Sequence, residues 1–223
     1  DKCYKDKNKI EGYNEEDELG GYDPYAASKA CAELVINSYN QSFFKNSNKY
    51  VASVRAGNVI GGGDRGENRL IPDSIRSLEN NQSIKVRNPA HVRPWQFVLE
   101  PLYGYLIIGS KLLEEKSEFV SAWNFGPLRE NCVPVGALVN LIVQTWGTGV
   151  WEDLSNPLEK KHETKLLYLD SKKVMNKTNW KPVVNLPVLV NFTVEWYKNA
   201  NENNAFDLSL KQIEDYMVLQ NNE

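Results

Sequence analysis

The sequence predicts an α/β protein, and three observations support this prediction. Short runs rich in β-branched and small apolar residues alternate with longer runs whose apolar residues recur at helical spacing. The chain has 223 residues, of which 41% are hydrophobic, enough for one large domain or two small ones with a buried core. No internal repeat or low-complexity tract interrupts the alternation.

The first helix is predicted to begin at Asp23-Pro24. An aspartate before the first turn can accept hydrogen bonds from free N–H groups, and proline suits the first helical position. Helical spacing continues to about Phe44. A strand is expected at 50–55 (YVASVR), which is rich in β-branched and small residues, and a glycine-rich loop, AGNVIGGGDRGENR, follows it.

The remaining elements are predicted from the same two patterns. Further helices are expected at 70–78, 101–113 and 135–145, and from Ser171, Leu186 and Leu208. Further strands are expected at 84–87, 122–125 and 165–169.

Composition argues against several classes of function. The net charge is −3 and the basic residues are scattered, whereas nucleic-acid-binding proteins usually carry a basic face or stripe. No apolar run approaches the length of a membrane span, and the charged first residues do not resemble a signal peptide. We therefore expect neither a nucleic-acid partner nor a membrane partner.

Cysteine and histidine usage points to a reducing compartment without a metal site. The three cysteines, Cys3, Cys31 and Cys132, are odd in number and widely spaced, and the chain has two histidines. This pattern argues against a disulfide framework and against a transition-metal site. The cytoplasm is the expected location.

Tyr25 and Lys29 are the first candidates for chemistry. They lie four residues apart inside the predicted first helix, so their side chains can point the same way. A phenol is a poor base at neutral pH, but a nearby ammonium stabilises the phenolate, and such a pair can take a proton from a hydroxyl group. About one Tyr-x-x-x-Lys is expected by chance, and a second copy, Tyr168 and Lys172, crosses a predicted strand-to-helix junction. The alternative is a half-buried tyrosine beside a solvated lysine.

The flanking residues resemble the extended short-chain dehydrogenase/reductase family, in particular its sugar-nucleotide dehydratases and epimerases. GGYDPYAASKACAE is similar to the active-site helix of this family. Residues 1–4, 53–76 and 88–106 resemble its CDP-glucose 4,6-dehydratase branch, and RPWQFVLEPL is the most specific of these segments. The resemblance implies part of a Rossmann-like parallel sheet, formed by its C-terminal strands and helices, plus a smaller α/β substrate-binding domain.

The same resemblance implies NAD as cofactor and CDP-glucose or a related nucleotide sugar as substrate. Tyr25 would take the proton of the sugar C4 hydroxyl as hydride passes to NAD, and Lys29 would assist it and bind the nicotinamide ribose. Asp1 would protonate the departing C6 hydroxyl, the alternative being a solvated terminal residue. Lys2 stands where related dehydratases carry a glutamate base, so the identity of the C5 base stays open. Phe97 replaces a histidine that is usual in the family.

Four residues are candidates for binding the nucleotide sugar. Its diphosphate needs fixed positive charge, for which Arg93 is the first choice and Arg69 the second. Asn58 follows a predicted strand, where α/β proteins place ligand contacts, and matches a substrate-contacting asparagine of the family. His162 lies in a segment that the resemblance places near the nucleotide. The alternatives are stacking on a tryptophan for Arg93, a turn residue for Asn58, and surface positions for the other two.

The glycine fingerprint that cradles the NAD pyrophosphate is not found in this sequence. Gly61-Gly62-Gly63-Asp64 has other spacing and lies in the substrate loop. We therefore expect a C-terminal part of the enzyme that does not bind NAD tightly or turn over substrate alone. Residues 1–60 would belong to the dinucleotide-binding domain, and residues 61–223 mainly to the nucleotide-sugar domain, with some segments returning to the first. The other region would be truncated, a separate N-terminal polypeptide, or lost from a degenerate gene.

Two rival functions stay open at this point. One is another nucleotide-sugar dehydratase, epimerase or decarboxylase, and the other is a non-catalytic sugar-nucleotide-binding subunit. Family members are commonly dimers, so the resemblance implies a homodimer through the Tyr25 helix. Cys31, Leu34 and Val35 would supply its apolar surface, unless they are buried within one subunit.

Overall fold

A computed structural model describes residues 1–156 and 167–221 of the chain. These residues divide into two compact units. The first unit combines Asp1–Gly57 and Glu100–Pro127 with a stretch that ends at Pro182. The second combines Asn58–Leu99 with stretches that begin at Leu128 and at Val183.

The described residues contain seven α-helices and seven strands. The helices are α1 (Pro24–Tyr39), α2 (Leu70–Glu79), α3 (Leu99–Leu113), α4 (Val135–Trp146), α5 (Lys172–Lys177), α6 (Leu186–Asn199) and α7 (Ala205–Asn221). The strands are β1 (Ser53–Ala56), β2 (Asn58–Ile60), β3 (Ile84–Val86), β4 (Val92–Phe97), β5 (Ala122–Phe125), β6 (Cys132–Pro134) and β7 (Trp151–Asp153). None of these helices is both long enough and apolar enough to cross a bilayer, within the part of the chain that is described.

The first unit is built around the parallel pair β1 and β5, in which Ser53 lies opposite Ala122. Its core is strongly aromatic, and Phe125 meets Trp180 edge to face with ring centroids 4.9 Å apart. Helix α3 approaches this core closely at Gly104, where a Cβ atom would lie 2.0 Å from the Phe125 ring. Glycine is therefore needed at that position for the helix to pack.

The second unit contains a three-stranded sheet in the order β2-β4-β6 and a separate parallel pair of β3 and β7. Strand β4 runs parallel to β2 and antiparallel to β6. Phe97, at the end of β4, is fully buried, and its ring centroid lies 5.1 Å from that of Phe192 on α6 and 6.4 Å from that of Tyr216 on α7. The residue that replaces the expected histidine therefore serves as an aromatic core residue.

The prediction of a mixed α/β fold with parallel strands is confirmed. The helices expected at 70–78, 101–113 and 135–145 and the strands at 84–87 and 122–125 are present within two residues of their predicted bounds. The first strand begins three residues later than expected, and the last helix begins three residues earlier. Strands β2, β4, β6 and β7 were not predicted. The strand expected at 165–169 lies partly outside the described residues, and Leu169 forms an isolated bridge with Tyr13.

Candidate active site

Helix α1 carries Tyr25 and Lys29 on one side of its first turns. The helix begins as predicted, because the side chain of Asp23 accepts a hydrogen bond from the Ala26 N–H at 3.0 Å and Pro24 is the first helical residue. The Lys29 Nζ atom lies 5.4 Å from the centroid of the Tyr25 ring. Tyr25 is 60% exposed and Lys29 is also exposed, so a bound molecule can reach both groups.

Gly21 brings the preceding chain against the first turn of this helix. A Cβ atom at this position would lie 2.2 Å from the Ala27 backbone nitrogen and 2.3 Å from the Ala26 carbonyl carbon. Any larger residue would have to push the chain away from the helix start. Gly21 therefore helps to fix the position of the first turn of α1, which carries Tyr25.

The segment that carries Asp1 and Lys2 is fastened to the end of β1. The backbone nitrogen of Asp1 lies 2.9 Å from the Ala56 carbonyl oxygen. Both side chains are partly buried, whereas the next two residues, Cys3 and Tyr4, are buried. The Asp1 carboxyl group thus sits on an anchored segment of the first unit.

A buried polar cluster links this segment to α1. Arg55 of β1 donates to the Glu33 carboxylate at 2.6 Å and to the Tyr4 hydroxyl oxygen at 2.5 Å. Ser53 donates to the same Glu33 oxygen at 2.7 Å, and the Tyr4 hydroxyl donates to the Asn124 side-chain oxygen at 2.8 Å. We call these five residues the Arg55 cluster.

The protonation states of the Arg55 cluster follow from its burial and its pairing. Burial lowers the pKa of the Arg55 guanidinium. The hydrogen bond to Glu33 and the neighbouring Tyr4 oxygen raise this pKa by a larger amount, so the net shift is upward. Burial raises the pKa of the Tyr4 phenol above its usual value. Near neutral pH, Arg55 therefore stays charged and Tyr4 keeps its proton.

The Arg55 cluster was not predicted from the sequence, although the sequence contains a signal for it. Arg55 stands inside a predicted buried strand, and a buried guanidinium requires a paired carboxylate or a comparable acceptor. The partner, Glu33, lies 22 residues away in sequence on a different element. The charge of Arg55 therefore indicated that a paired acceptor exists, but not which residue it is.

The second unit holds a cavity of about 750 Å³ that brings Asn58 and Arg93 together. Asn58 pairs with Trp95 across β2 and β4, so the two residues share a face of the sheet. Arg93, two residues earlier on β4, is on that face as well. Its Nη1 atom donates to the Val92 carbonyl oxygen at 2.9 Å.

Three further cations, which the sequence analysis missed, line the same cavity. Among the described residues that line it, Arg76 of α2, Lys85 of β3 and Arg87 accompany Arg93. The one carboxylate among them, Asp73, is ion-paired with Arg76. A cavity with this excess of positive charge favours an anionic ligand. The alternation of Lys85 and Arg87 along a strand was visible in the sequence, but their convergence with α2 and β4 was not.

Two other sequence candidates lie elsewhere. Arg69 is the residue before α2, and its guanidinium donates to Asp64 at 2.9 Å on the surface, outside the lining of this cavity. His162 lies outside the described residues. In the second Tyr-x-x-x-Lys copy, Tyr168 donates to the Pro127 carbonyl oxygen at 3.2 Å and Lys172 pairs with Asp170 at 3.2 Å.

The chain's residues suit one end of a dinucleotide. The exposed Tyr25 hydroxyl and Lys29 ammonium can both donate to the hydroxyl groups of a ribose. The glycine triplet at 61–63 has a packing role, because a Cβ atom at Gly62 would lie 2.2 Å from the Trp196 ring. We therefore do not assign a pyrophosphate to that loop. Of a dinucleotide, only a ribose beside Tyr25 and Lys29 fits the residues described.

Residues 1–117, more than half of the 223-residue chain, match the NAD dependent epimerase/dehydratase family. CDP-glucose 4,6-dehydratase of Salmonella typhimurium is 42% identical over 226 aligned residues, which cover 97% of this chain and 62% of that protein.

Solved structures show the same fold at lower identity. dTDP-glucose 4,6-dehydratase of Bacillus anthracis, determined with NAD, superposes with a TM-score of 0.74 at 20% identity, covering 93% of this chain and 62% of that one. UDP-glucuronic acid 4-epimerase of Bacillus cereus, determined with UDP-glucuronic acid and NAD, gives 0.72 at 16% identity, covering 88% and 59%. The chain thus spans about three fifths of the length of these proteins.

Proposed function

The chain belongs to the NAD dependent epimerase/dehydratase family, and we propose that the complete protein dehydrates CDP-glucose to CDP-4-keto-6-deoxyglucose. The observation that carries the proposal is the Tyr25–Lys29 geometry, with the ammonium 5.4 Å from the ring centroid and both groups exposed on one helix. The 42% identity to a CDP-glucose 4,6-dehydratase favours this substrate over other nucleotide sugars.

In the first step, Tyr25 acts as the base at the sugar C4 hydroxyl. Its phenolate oxygen takes the hydroxyl proton, and the Lys29 ammonium stabilises the negative charge. Lys29 would also donate to the ribose of the nicotinamide nucleotide. NAD, when bound, would supply reversible two-electron redox chemistry: oxidation of the C4 alcohol to a ketone and, later, reduction at C6.

In the second step, water leaves across C5 and C6. The C4 ketone makes the C5 proton acidic, and Asp1 gives a proton to the departing C6 hydroxyl. The sequence of steps is redox-neutral, and its only released product besides the keto sugar is one water. The base at C5 is not assigned, because Lys2 must lose its proton before it can accept one.

The second unit supplies candidate contacts to the nucleotide diphosphate. Arg93 has a guanidinium that can hold phosphate oxygens bidentately, and Asn58 can donate to the substrate from the neighbouring strand. Arg76, Lys85 and Arg87 add positive charge around the same cavity. The volume of about 750 Å³ falls within the usual range for small-molecule sites.

The proposal is tested by incubating the complete protein with CDP-, dTDP-, UDP- and GDP-hexoses and following the 4-keto product. We expect CDP-glucose to give the highest kcat/KM. A product from another nucleotide sugar alone would assign the protein to a different branch of the family. Calorimetric binding of CDP-glucose without any product, and without an effect of NAD, would identify a non-catalytic subunit instead.

Replacing Arg93 by methionine is expected to weaken CDP-glucose binding roughly 10- to 100-fold. The change removes charge-assisted hydrogen bonds worth about 1.5–3 kcal/mol and keeps most of the side-chain volume. Calorimetry on the complete protein measures the dissociation constant. Arg65→Met is the matched control, because Arg65 stacks over Tyr197 outside the cavity. An equal loss in both variants would remove Arg93 from the binding site.

A homodimer and a cytoplasmic location complete the proposal. Leu34 and Val35 on α1 are 57% and 54% exposed, and Cys31 beside them is exposed as well, which supports an apolar helix contact with a second copy. Cys3, Cys31 and Cys132 are free thiols, which supports a reducing compartment.

A further inference from the structure

Helix α1 is held in the first unit by small side chains. Among its 16 residues, Ala26 and Ala30 are buried, while Leu34, Val35 and Tyr39 are each more than half exposed. Alanine side chains allow close approach but offer little surface that resists rotation of a helix about its axis. A directional contact is therefore needed to fix where the other side chains of the helix point.

Glu33 provides such a contact and stands in line with the catalytic pair. Tyr25, Lys29 and Glu33 follow one another in steps of four residues, and each step turns the side chain by about 40° around the helix. Glu33 lies about 12 Å from Tyr25 along the axis. Its carboxylate is bonded to Arg55 and Ser53 of β1, and its side chain is 13% exposed.

The other arm of Arg55 reaches the segment that carries Asp1. Its Nη1 atom donates to the Tyr4 hydroxyl, and the Asp1 backbone nitrogen bonds to Ala56, the residue after Arg55. Tyr4 is also held by Asn124, which lies opposite Arg55 in the β1–β5 pair. One guanidinium therefore connects both elements on which the catalytic candidates stand.

We propose that Arg55 is a shared positioning residue that sets the rotation of α1 through Glu33 and the placement of the Asp1 segment through Tyr4. The inference rests on the proposed dehydratase function. Its two arms act on different steps: Glu33 governs oxidation at C4 through Tyr25 and Lys29, and Tyr4 governs the loss of water through Asp1. Neither Glu33 nor Tyr4 needs to touch the substrate.

Two substitutions of Glu33 separate positioning from stability. Glu33→Asp keeps the charge but shortens the arm by one methylene, so the helix must shift to keep its ion pair. Glu33→Gln keeps the length but leaves the Arg55 charge uncompensated, which costs more stability. A misplacement of about 1 Å can cost 10²-fold in rate, so we expect kcat to fall on the order of 10²-fold in Glu33→Asp and less in Glu33→Gln. The melting temperature should fall more in Glu33→Gln, so the two rankings are opposite.

Deuterium at C4 of CDP-glucose distinguishes the two arms. Glu33→Asp should slow cleavage of the C4–H bond and raise the isotope effect on kcat above the wild-type value. Tyr4→Phe removes the hydroxyl that Arg55 and Asn124 hold, so it should slow the later loss of water and lower the isotope effect toward one. KM for CDP-glucose should stay within about threefold in both, because neither side chain is among the residues proposed to contact the sugar nucleotide.

A readout without substrate or added NAD completes the test. The fluorine resonance of 3-fluorotyrosine at position 25, assigned with Tyr25→Phe, should shift in Glu33→Asp and stay in place in Tyr4→Phe. The controls are Glu114→Asp and Glu114→Gln, at a surface ion pair with Lys111 and Lys116, and Tyr105→Phe on α3.

Three results would overturn the positioning role while leaving the function intact. In the first, the loss of kcat across the Glu33 variants follows the loss of melting temperature. In the second, the isotope effect is unchanged in both Glu33→Asp and Tyr4→Phe. In the third, the Tyr25 resonance does not shift in Glu33→Asp. If Glu33→Gln does not fold, Glu33→Asp and Tyr4→Phe still give the isotope and resonance results. Failure of the proposed function would appear earlier, as a wild-type protein that forms no 4-keto product.

Discussion

Replacing Tyr25 by phenylalanine is expected to lower kcat on the order of 10³-fold while leaving the KM for CDP-glucose nearly unchanged. The substitution removes one oxygen atom from an exposed position on α1, so the helix and its Asp23 cap stay intact. General-base catalysis by a positioned side chain contributes about 10²- to 10⁴-fold, and 10³-fold corresponds to about 4 kcal/mol of transition-state stabilisation. The measurement is steady-state formation of the 4-keto sugar by the complete protein.

Tyr39→Phe is the matched control for this prediction. Tyr39 is on the same helix, is 51% exposed, and its ring contacts Phe43 and Phe44. Removal of its hydroxyl should leave kcat within about twofold, as is usual for surface substitutions that touch no ligand. A Tyr25→Phe protein that keeps most of the wild-type rate would show that the phenol is not the base.

Replacing Trp180 by alanine is expected to lower the free energy of unfolding by about 3–5 kcal/mol. Trp180 is 1% exposed, its ring packs against Phe125, and its Nε1 donates to the Glu100 carbonyl oxygen at 2.8 Å. Truncation opens a large cavity in the core of the first unit and leaves a buried carbonyl without this donor. Urea unfolding of the complete protein, followed by circular dichroism, measures the loss.

Two other aromatic substitutions calibrate that result. Trp180→Phe keeps much of the ring volume but removes the Nε1 donor, so its loss should be smaller than that of alanine. Phe206→Ala removes an aromatic ring that is 77% exposed and should change stability by no more than about 0.5 kcal/mol. Similar losses at Phe206 and Trp180 would contradict the packing role assigned to Trp180.

Elements specified by neighbouring residues could be predicted from the sequence. The start of α1 follows from the Asp23 side chain and the proline after it, and both act within one turn. Strand β5 (AWNF) lies at its predicted bounds. Tyr25 and Lys29 come together for the same reason, since one helix holds both and four residues bring the side chains to the same side.

Strands stabilised by distant partners could not be predicted in this way. Strand β4 contains Pro94, and β6 ends at Pro134, and proline argues against a strand because it lacks an N–H donor. These strands exist because β4 pairs with β2 on one side and with β6 on the other. Strand β2 is three residues long inside a glycine-rich loop, so it has no recognisable pattern of its own.

The candidate site divides along the same line. The exposed helical pair could be predicted from the sequence. So could a cation for the diphosphate of the proposed substrate, for which Arg93 was the first choice. Arg76, Lys85 and Arg87 were missed because their convergence depends on how α2, β3 and β4 pack in the second unit. The pairing of Glu33 with Arg55 was missed for the same reason.

Because Gly62 contacts Trp196, the residue that is tolerated at either position depends on the residue at the other. The indole occupies the volume that any side chain at position 62 would need, and its Nε1 also donates to Ser209. Side-chain volume can therefore increase at position 62 only if it decreases at position 196. Among diverged relatives that keep this loop, a larger residue at the position of Gly62 should occur together with a smaller residue at the position of Trp196. A larger residue at position 62 should be tolerated only after the residue at position 196 has become smaller.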